Sequence, residues 1–195
     1  MTENKPKMKG YFIQYPPVLE DIFFAVLLVF SMVFGLLFYG IGENIRKEGL
    51  VAQKPQTAME REIGKMVSGH PIEQMVPYIS EKDQKTASFL VAIAKKESNW
   101  GKLSPKKDGR DCYNYWGYRG IQNRTKSGYS CFDSPSQAVN IVGGRIEDLM
   151  NKKIDTPREM VVAWKCGFDC SWDNPAAVHK WVKDVDFYFK KIASF

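Results

Sequence analysis

A chain of 195 residues, with 44% hydrophobic and 26% charged side chains, has room for one globular domain plus accessories. Its formal net charge of +6 favours anionic surfaces such as phospholipid headgroups or cell-wall polymers, and does not by itself imply nucleic acid. The sequence holds no zinc-finger pattern, no G-x-x-x-x-G-K-S/T loop and no G-x-G-x-x-G, so these signatures give no reason to expect a metal or cofactor.

The first residues, 1–21, are polar and basic with a proline pair at Pro16 and Pro17, and read as an unstructured cytoplasmic tail. Residues 22–41 follow, twenty in a row without a charge. About 20 apolar residues at a 1.5 Å rise cross a ~30 Å hydrocarbon core. A soluble helix would show a polar face, and this one has none. A cleaved signal peptide has a shorter apolar run and a small-residue cleavage site, for which Gly40-Ile41-Gly42 is a weak match. The expectation is a retained, single transmembrane helix.

Flanking charge does not orient it. Lys5, Lys7 and Lys9 precede the span, and Arg46, Lys47 and Lys54 follow. The cysteines break the tie, because Cys112, Cys131, Cys166 and Cys170 all come after it. An even number on one side favours disulfides and an oxidising compartment, which puts the N-terminus in the cytoplasm and the domain outside. Four cysteines allow three pairings. Cys112 with Cys131 and Cys166 with Cys170 is preferred because each bridge closes a local segment. The rivals are four reduced thiols, or a four-thiolate zinc site, which would need C-x-x-C knuckles that are absent.

A charged linker, 42–58, carries Gly49 and Pro55 and leads to a domain over 59–195. Its signals are mainly α. Apolar Met59, Ile63, Met66 and Val67 are spaced as on a helix over 58–68, which stops at Gly69, and 71–79 is a short helix or turn. Ser80, with Asp83 three residues on, is read as the N-cap of a helix running to about Ser98. Ser134-Pro135-Ser136-Gln137 and Thr156-Pro157-Arg158-Glu159 each read as a capping box with proline at the first helical position, and Asn174-Pro175 as a cap with a first-turn proline. The helix after Ser134 buries Ala138, Val142, Ile146 and Leu149. The last helix carries a stripe of Val178, Trp181, Val182, Val185, Phe189 and Ile192. Between them lies a loop-rich insertion, in which a short hairpin is expected between Tyr113 and Phe132.

One carboxylate stands out. Glu97 shares a helical face with Ala94, Ile93 and Leu90. A carboxyl interrupting an apolar stripe loses hydration, its pKa rises, and it becomes a candidate general acid. The alternative is a glutamate at a helix end that faces solvent. Glu97-Ser98-Asn99-Trp100-Gly101 resembles the catalytic Glu-Ser motif of lysozyme-like peptidoglycan hydrolases. Asn114-Tyr115-Trp116-Gly117-Tyr118 resembles the Asn-Leu-Phe-Gly-Ile block of bacterial glucosaminidases of the flagellar muramidase type and of related lytic transglycosylases. The run from Cys131 to Ala138 resembles their aromatic, Asp-Ser, helix-start block.

The resemblance covers about 79–149. It implies a lysozyme-like α domain that cleaves β-1,4 bonds of peptidoglycan glycan strands, with Glu97 as the acid. It also implies a substrate cleft drawn from Ser98, Asn114, Tyr115, Trp116 and Tyr118, with Tyr113 as a further aromatic. At each of these a packing role competes: Ser98 and Asn99 hold the turn or touch substrate, Asn114 caps a turn or binds a sugar acetamido group, and Trp116 packs the insertion or stacks on a sugar. The chain departs from the pattern at Cys112 and at Trp172-Asp173-Asn174-Pro175, where the family has a tyrosine before its Asp-Pro pair. A second acid is unassigned, with Asp108, Asp111 and Asp133 as candidates. The basic segment 102–126 is either a solvated loop or a contact for anionic wall polymer. The rival functions are a non-catalytic peptidoglycan-binding domain and a structural envelope protein of a membrane-spanning machine, its protein partners unknown.

Overall fold

The computed structural model describes residues 17–49 and 56–194, with side chains over 22–39 and 56–194. The chain divides into two compact units, Met1–Lys54 and Pro55–Phe195.

The first unit contains one helix, α1 (Pro17–Gly49), which starts on proline, as the first helical position allows. It is longer than the apolar run at both ends, so residues 17–21 belong to the helix rather than to a tail, and residues 42–49 to the helix rather than to a linker. Most of 1–21, namely 1–16, and the later linker, 50–55, lie outside the described residues. Ile22–Tyr39 has a mean hydropathy of 2.6 with none of its side chains buried. At a 1.5 Å rise these 18 residues span about 27 Å. By length and composition α1 can cross a membrane, as an anchor or a signal sequence does. The Ser31 hydroxyl in that window is satisfied locally, its Oγ donating to the Leu28 carbonyl at 2.9 Å.

The second unit is mainly helical and is built around α4 (Gln84–Ser98). Phe89, Leu90, Val91, Ala92, Ile93 and Ala94 are all fully buried. A helix apolar on every side must be surrounded, and α7 (Pro175–Ala193) packs along it most extensively, with α5 (Pro135–Asn151) on another side. Phe89 and Phe189 meet at 4.5 Å between ring centroids. α2 (Ala58–Val67) contributes buried Ile63 and Val67, and a 3₁₀ turn Pro71–Met75 leads into the short α3 (Val76–Ile79).

Local chemistry fixes the helix starts, with three differences from the sequence reading. Asp83, not Ser80, caps α4: its carboxylate accepts from Lys85 N and Thr86 N, both at 3.0 Å, while Ser80 N–H closes α3 on the Val76 carbonyl. At α5, Ser134 Oγ accepts from Gln137 N at 3.2 Å. The Gln137 side chain, however, takes the N–H of Asp133 at 2.6 Å, one residue before the cap, so the box is not closed reciprocally. At α6 (Pro157–Val161) the Thr156–Glu159 box is complete. Asn174 caps α7 through Ala176 N at 2.9 Å.

The third difference is the hairpin. Among the described residues the strand pair is β1 (Lys106–Lys107) with β2 (Arg110–Asp111), antiparallel, Lys106 opposite Asp111. It precedes Tyr113 because Asp108-Gly109 supplies the two positive φ angles, 52° and 78°, that a tight hairpin turn needs. Residues 113–132 are instead held by side chains and by a disulfide between Cys112 and Cys131; the second disulfide joins Cys166 and Cys170.

Candidate active site

Glu97 lies in the last turn of α4, and that helix ends abruptly. Asn99, Trp100 and Gly101 all have positive φ, at 52°, 58° and 93°. For tryptophan this is a costly conformation, and the surroundings enforce it. Trp100 Nε1 donates to the Val91 carbonyl at 3.0 Å, the Lys95 ammonium sits 4.1 Å above the ring, and Tyr188 packs against its edge. Gly101 must be glycine: a Cβ there would lie 2.9 Å from Pro71 Cβ and from the Tyr115 ring. The strained turn reverses the chain directly after the carboxylate.

Ser98 ties this turn to the next block. Its buried hydroxyl accepts from Gly101 N at 2.9 Å and donates to the Tyr115 carbonyl at 2.7 Å, with the Ala94 carbonyl at 3.1 Å as a second acceptor. Asn114 is fully buried and staples the following turn, its amide donating to the carbonyls of Tyr118 and Ser130, both at 2.8 Å, and its Oδ1 accepting from Tyr118 N. Tyr115 is also fully buried; its hydroxyl donates to Asp111 Oδ2 at 3.1 Å and accepts from Gln74. Burial, with the Asp111 carboxylate beside it, holds that phenol protonated well above its ordinary range. Ser98, Asn114 and Tyr115 are buried and build the scaffold, the packing role that the sequence left open beside substrate contact. Tyr113 packs half-buried against the core.

What these residues shape is a groove of about 500 Å³ with Glu97 in it. Trp116 and Gly117 line it beside the carboxyl. Trp116 is almost entirely covered, its Nε1 donating to the Leu90 carbonyl at 2.7 Å. Tyr118, Arg119 and Tyr129 form one part of the wall, with the Arg119 guanidinium 4.0 Å above the Tyr129 ring. Arg145 of α5 lines it, as do Ala163, Trp164, Lys165 and Cys166. The last four belong to a π-helical turn, Val162–Cys166, that continues α6. Trp164 Nε1 donates to the Trp116 carbonyl at 3.1 Å, fastening that turn to the 116–117 segment.

The carboxyl itself is held from below. Trp181 Nε1, on the buried face of α7, donates to Glu97 Oε1 at 2.7 Å. An indole nitrogen can only donate, so Oε1 is the acceptor and the proton of the neutral acid belongs on Oε2. A Cβ at position 117 would sit 3.5 Å from Oε2, in van der Waals contact, so glycine there keeps a side chain off that oxygen. Glu97 is solvent-exposed as a whole residue, as the solvent-facing alternative for a helix-end glutamate expects, while its carboxyl is crowded by neighbouring protein. Crowding removes hydration and pushes its pKa above the usual glutamate value; the Trp181 N–H and the charges of Lys96 and Lys165 pull the other way. The accessible edge limits the shift, and its direction is upward.

The candidates for a second acid lie elsewhere. Asp108 is at the tip of the hairpin, Asp111 is taken up by Tyr113 N, Ser104 and Tyr115, and Asp133 is exposed before α5. Asp173 pairs with Lys165, Asn174 caps α7, and Trp172 is exposed. Glu97 is the one carboxylate among the described residues lining the groove. A larger concavity of about 910 Å³ lies along the ends of α4 and α7. Its acids are matched to lysines there, Asp184 to Lys96 and Lys180 and Asp186 to Lys190, which leaves no free acid for chemistry.

Sequence reasoning missed Tyr129, Arg145, Trp164, Lys165 and the Trp181 bond, and met Arg119 only as part of the basic segment 102–126. The one N–H-bearing side chain in an otherwise apolar stripe, Trp181, was the available signal for that bond, since a buried indole N–H requires a partner. Compared with known proteins, the chain matches no family model, no curated protein and no solved structure.

Proposed function

We propose that this protein is a membrane-anchored glycosidase that cleaves β-1,4 bonds of peptidoglycan, with Glu97 as the general acid. The observation that carries the reading is the pair of unequal carboxyl oxygens of a groove-lining glutamate: Oε1 fixed by Trp181 at 2.7 Å, and Oε2 beside Gly117, which puts no side chain against it. With its raised pKa, Oε2–H donates to the glycosidic oxygen as the C1–O bond breaks. No second carboxylate among the described groove residues stands ready to meet the developing charge at C1. The acetamido oxygen of the substrate attacks C1 instead, as in substrate-assisted glycosidases. Water, or a hydroxyl of the same sugar, then displaces it and loses its proton to the Glu97 carboxylate. Tyr118, Tyr129 and Trp164 offer ring faces and edges for the sugars. In this lysozyme-like reading α1 is a retained single-pass anchor with a cytoplasmic N-terminus. The two disulfides agree with an extracytoplasmic domain.

The lone acid equally favours a second reading, a domain that binds peptidoglycan without turning it over. Mass analysis of purified peptidoglycan incubated with the full-length chain in detergent separates them. Released fragments with reducing or anhydro ends support the enzyme. Bound chain without fragments supports the binding domain, and neither binding nor fragments defeats both.

A further inference from the structure

The groove has more positive charge than acid catalysis requires. Three cations line it, Arg119, Arg145 and Lys165, against the single carboxylate of Glu97. Two of them are already engaged. Lys165 is paired with Asp173, and Arg119 donates to the Ser127 carbonyl at 2.7 Å while stacking on Tyr129. Arg145 is different. It is half-buried on the flank of the α5 stripe, next to buried Ile146, and makes no hydrogen bond or ion pair with any described residue. A guanidinium cannot shed its charge, and its planar fork of donors matches a carboxylate in bidentate fashion. When Glu97 is protonated for its role as acid, no carboxylate lining the groove balances Arg119 and Arg145, and their field attracts an anion.

We infer that the groove selects a carboxylate-bearing glycan, and that Arg145 is the residue that holds the carboxylate. This rests on the glycan-cleaving or glycan-binding reading above and specifies which glycans it takes: acidic ones in preference to neutral chitin-type chains. In peptidoglycan the carboxylate has two sources, the lactyl group of a muramic acid without its peptide, or a free carboxylate of the stem peptide.

The test uses the full-length Glu97→Gln chain in detergent, which binds without turnover. It is titrated with three tetrasaccharides: neutral chitotetraose, a peptide-free oligosaccharide containing muramic acid, and the same oligosaccharide carrying its stem peptide. The expected result is a Kd for at least one acidic ligand about ten- to a hundred-fold below that for chitotetraose, the size of one charged hydrogen-bonded contact. The acidic arm that binds tighter identifies the source. Adding Arg145→Gln lowers the acidic-to-neutral ratio by a similar factor, and Arg145→Lys, which keeps the charge but not the fork, restores part of it. Methyl esterification of the acidic ligand lowers the ratio in the same way without altering the protein, so the test survives a variant that fails to fold. Equal affinity for acidic and neutral ligands, or a ratio unmoved by both Arg145→Gln and esterification, overturns the inference and leaves the glycan reading standing. Binding to none of the three overturns both.

Discussion

Trp181 and Glu97 are joined by a hydrogen bond at the groove, and the sign of their coupling can be tested. The indole N–H stabilises the ionised carboxylate, so removing it raises the pKa of Glu97 further. Activity that needs the protonated acid falls as pH rises through that pKa. Trp181→Phe therefore moves the alkaline limb of the pH–rate profile to higher pH, while lost orientation lowers the maximum rate. A limb that moves to lower pH would contradict the assignment. The same shift has a consequence for stability. Between the ordinary glutamate pKa and the raised one, the folded protein holds more protons than the unfolded chain, so this group's contribution to stability falls as pH rises through that window. Glu97→Gln removes the effect and keeps an acceptor for Trp181. At neutral pH the variant melts no lower than the unsubstituted chain. Gly101 is the other sensitive residue. Gly101→Ala meets Pro71 and Tyr115 at 2.9 Å and forces alanine to a φ of 93°. Backbone strain alone costs about 1–3 kcal/mol, read as a lowered midpoint in denaturant unfolding. At this scale the sequence pointed to Glu97 through its spacing from Leu90, Ile93 and Ala94. It could not show that Ser98, Asn114 and Tyr115 turn inward, because that depends on which carbonyls the folded loops bring near them.

The helices were legible where their start signals are self-contained. Thr156 with Glu159 and Asn174 with Pro175 act within one turn, and both helices begin there. Ser80 and Asp83 both fit the pattern for α4, and only the backbone decides between them. Asp83→Ala should cost roughly 1 kcal/mol of stability and Ser80→Ala much less, measured by thermal or denaturant unfolding. Equal losses would contradict the assignment of the cap. The π turn after α6 had no comparable local signature. An extra residue in a helical turn leaves the composition unchanged, yet it carries Trp164 and Lys165 into the groove and fastens them to Trp116. The hairpin was misplaced because the Asp108-Gly109 signal lies just outside the segment in which strands were sought.

For the whole molecule, composition separated an apolar helix from a mainly α domain with its own core, and the two compact units follow that division. The closure of two local segments by cysteine was likewise readable from spacing. The groove was not, because its walls come from α4, the 116–119 loop, Tyr129, α5 and the π turn, residues up to 70 positions apart that only the fold assembles. In the proposed function this assembly presents the Oε2 proton of Glu97 to a glycosidic oxygen. The most direct measurement is the rate at which the full-length chain in detergent releases soluble fragments from purified peptidoglycan, compared with that of Glu97→Gln. The account predicts a fall of about a hundred- to ten-thousand-fold, the usual loss of a general acid, with melting temperature unchanged or higher. Release by the variant at the unsubstituted rate would contradict it.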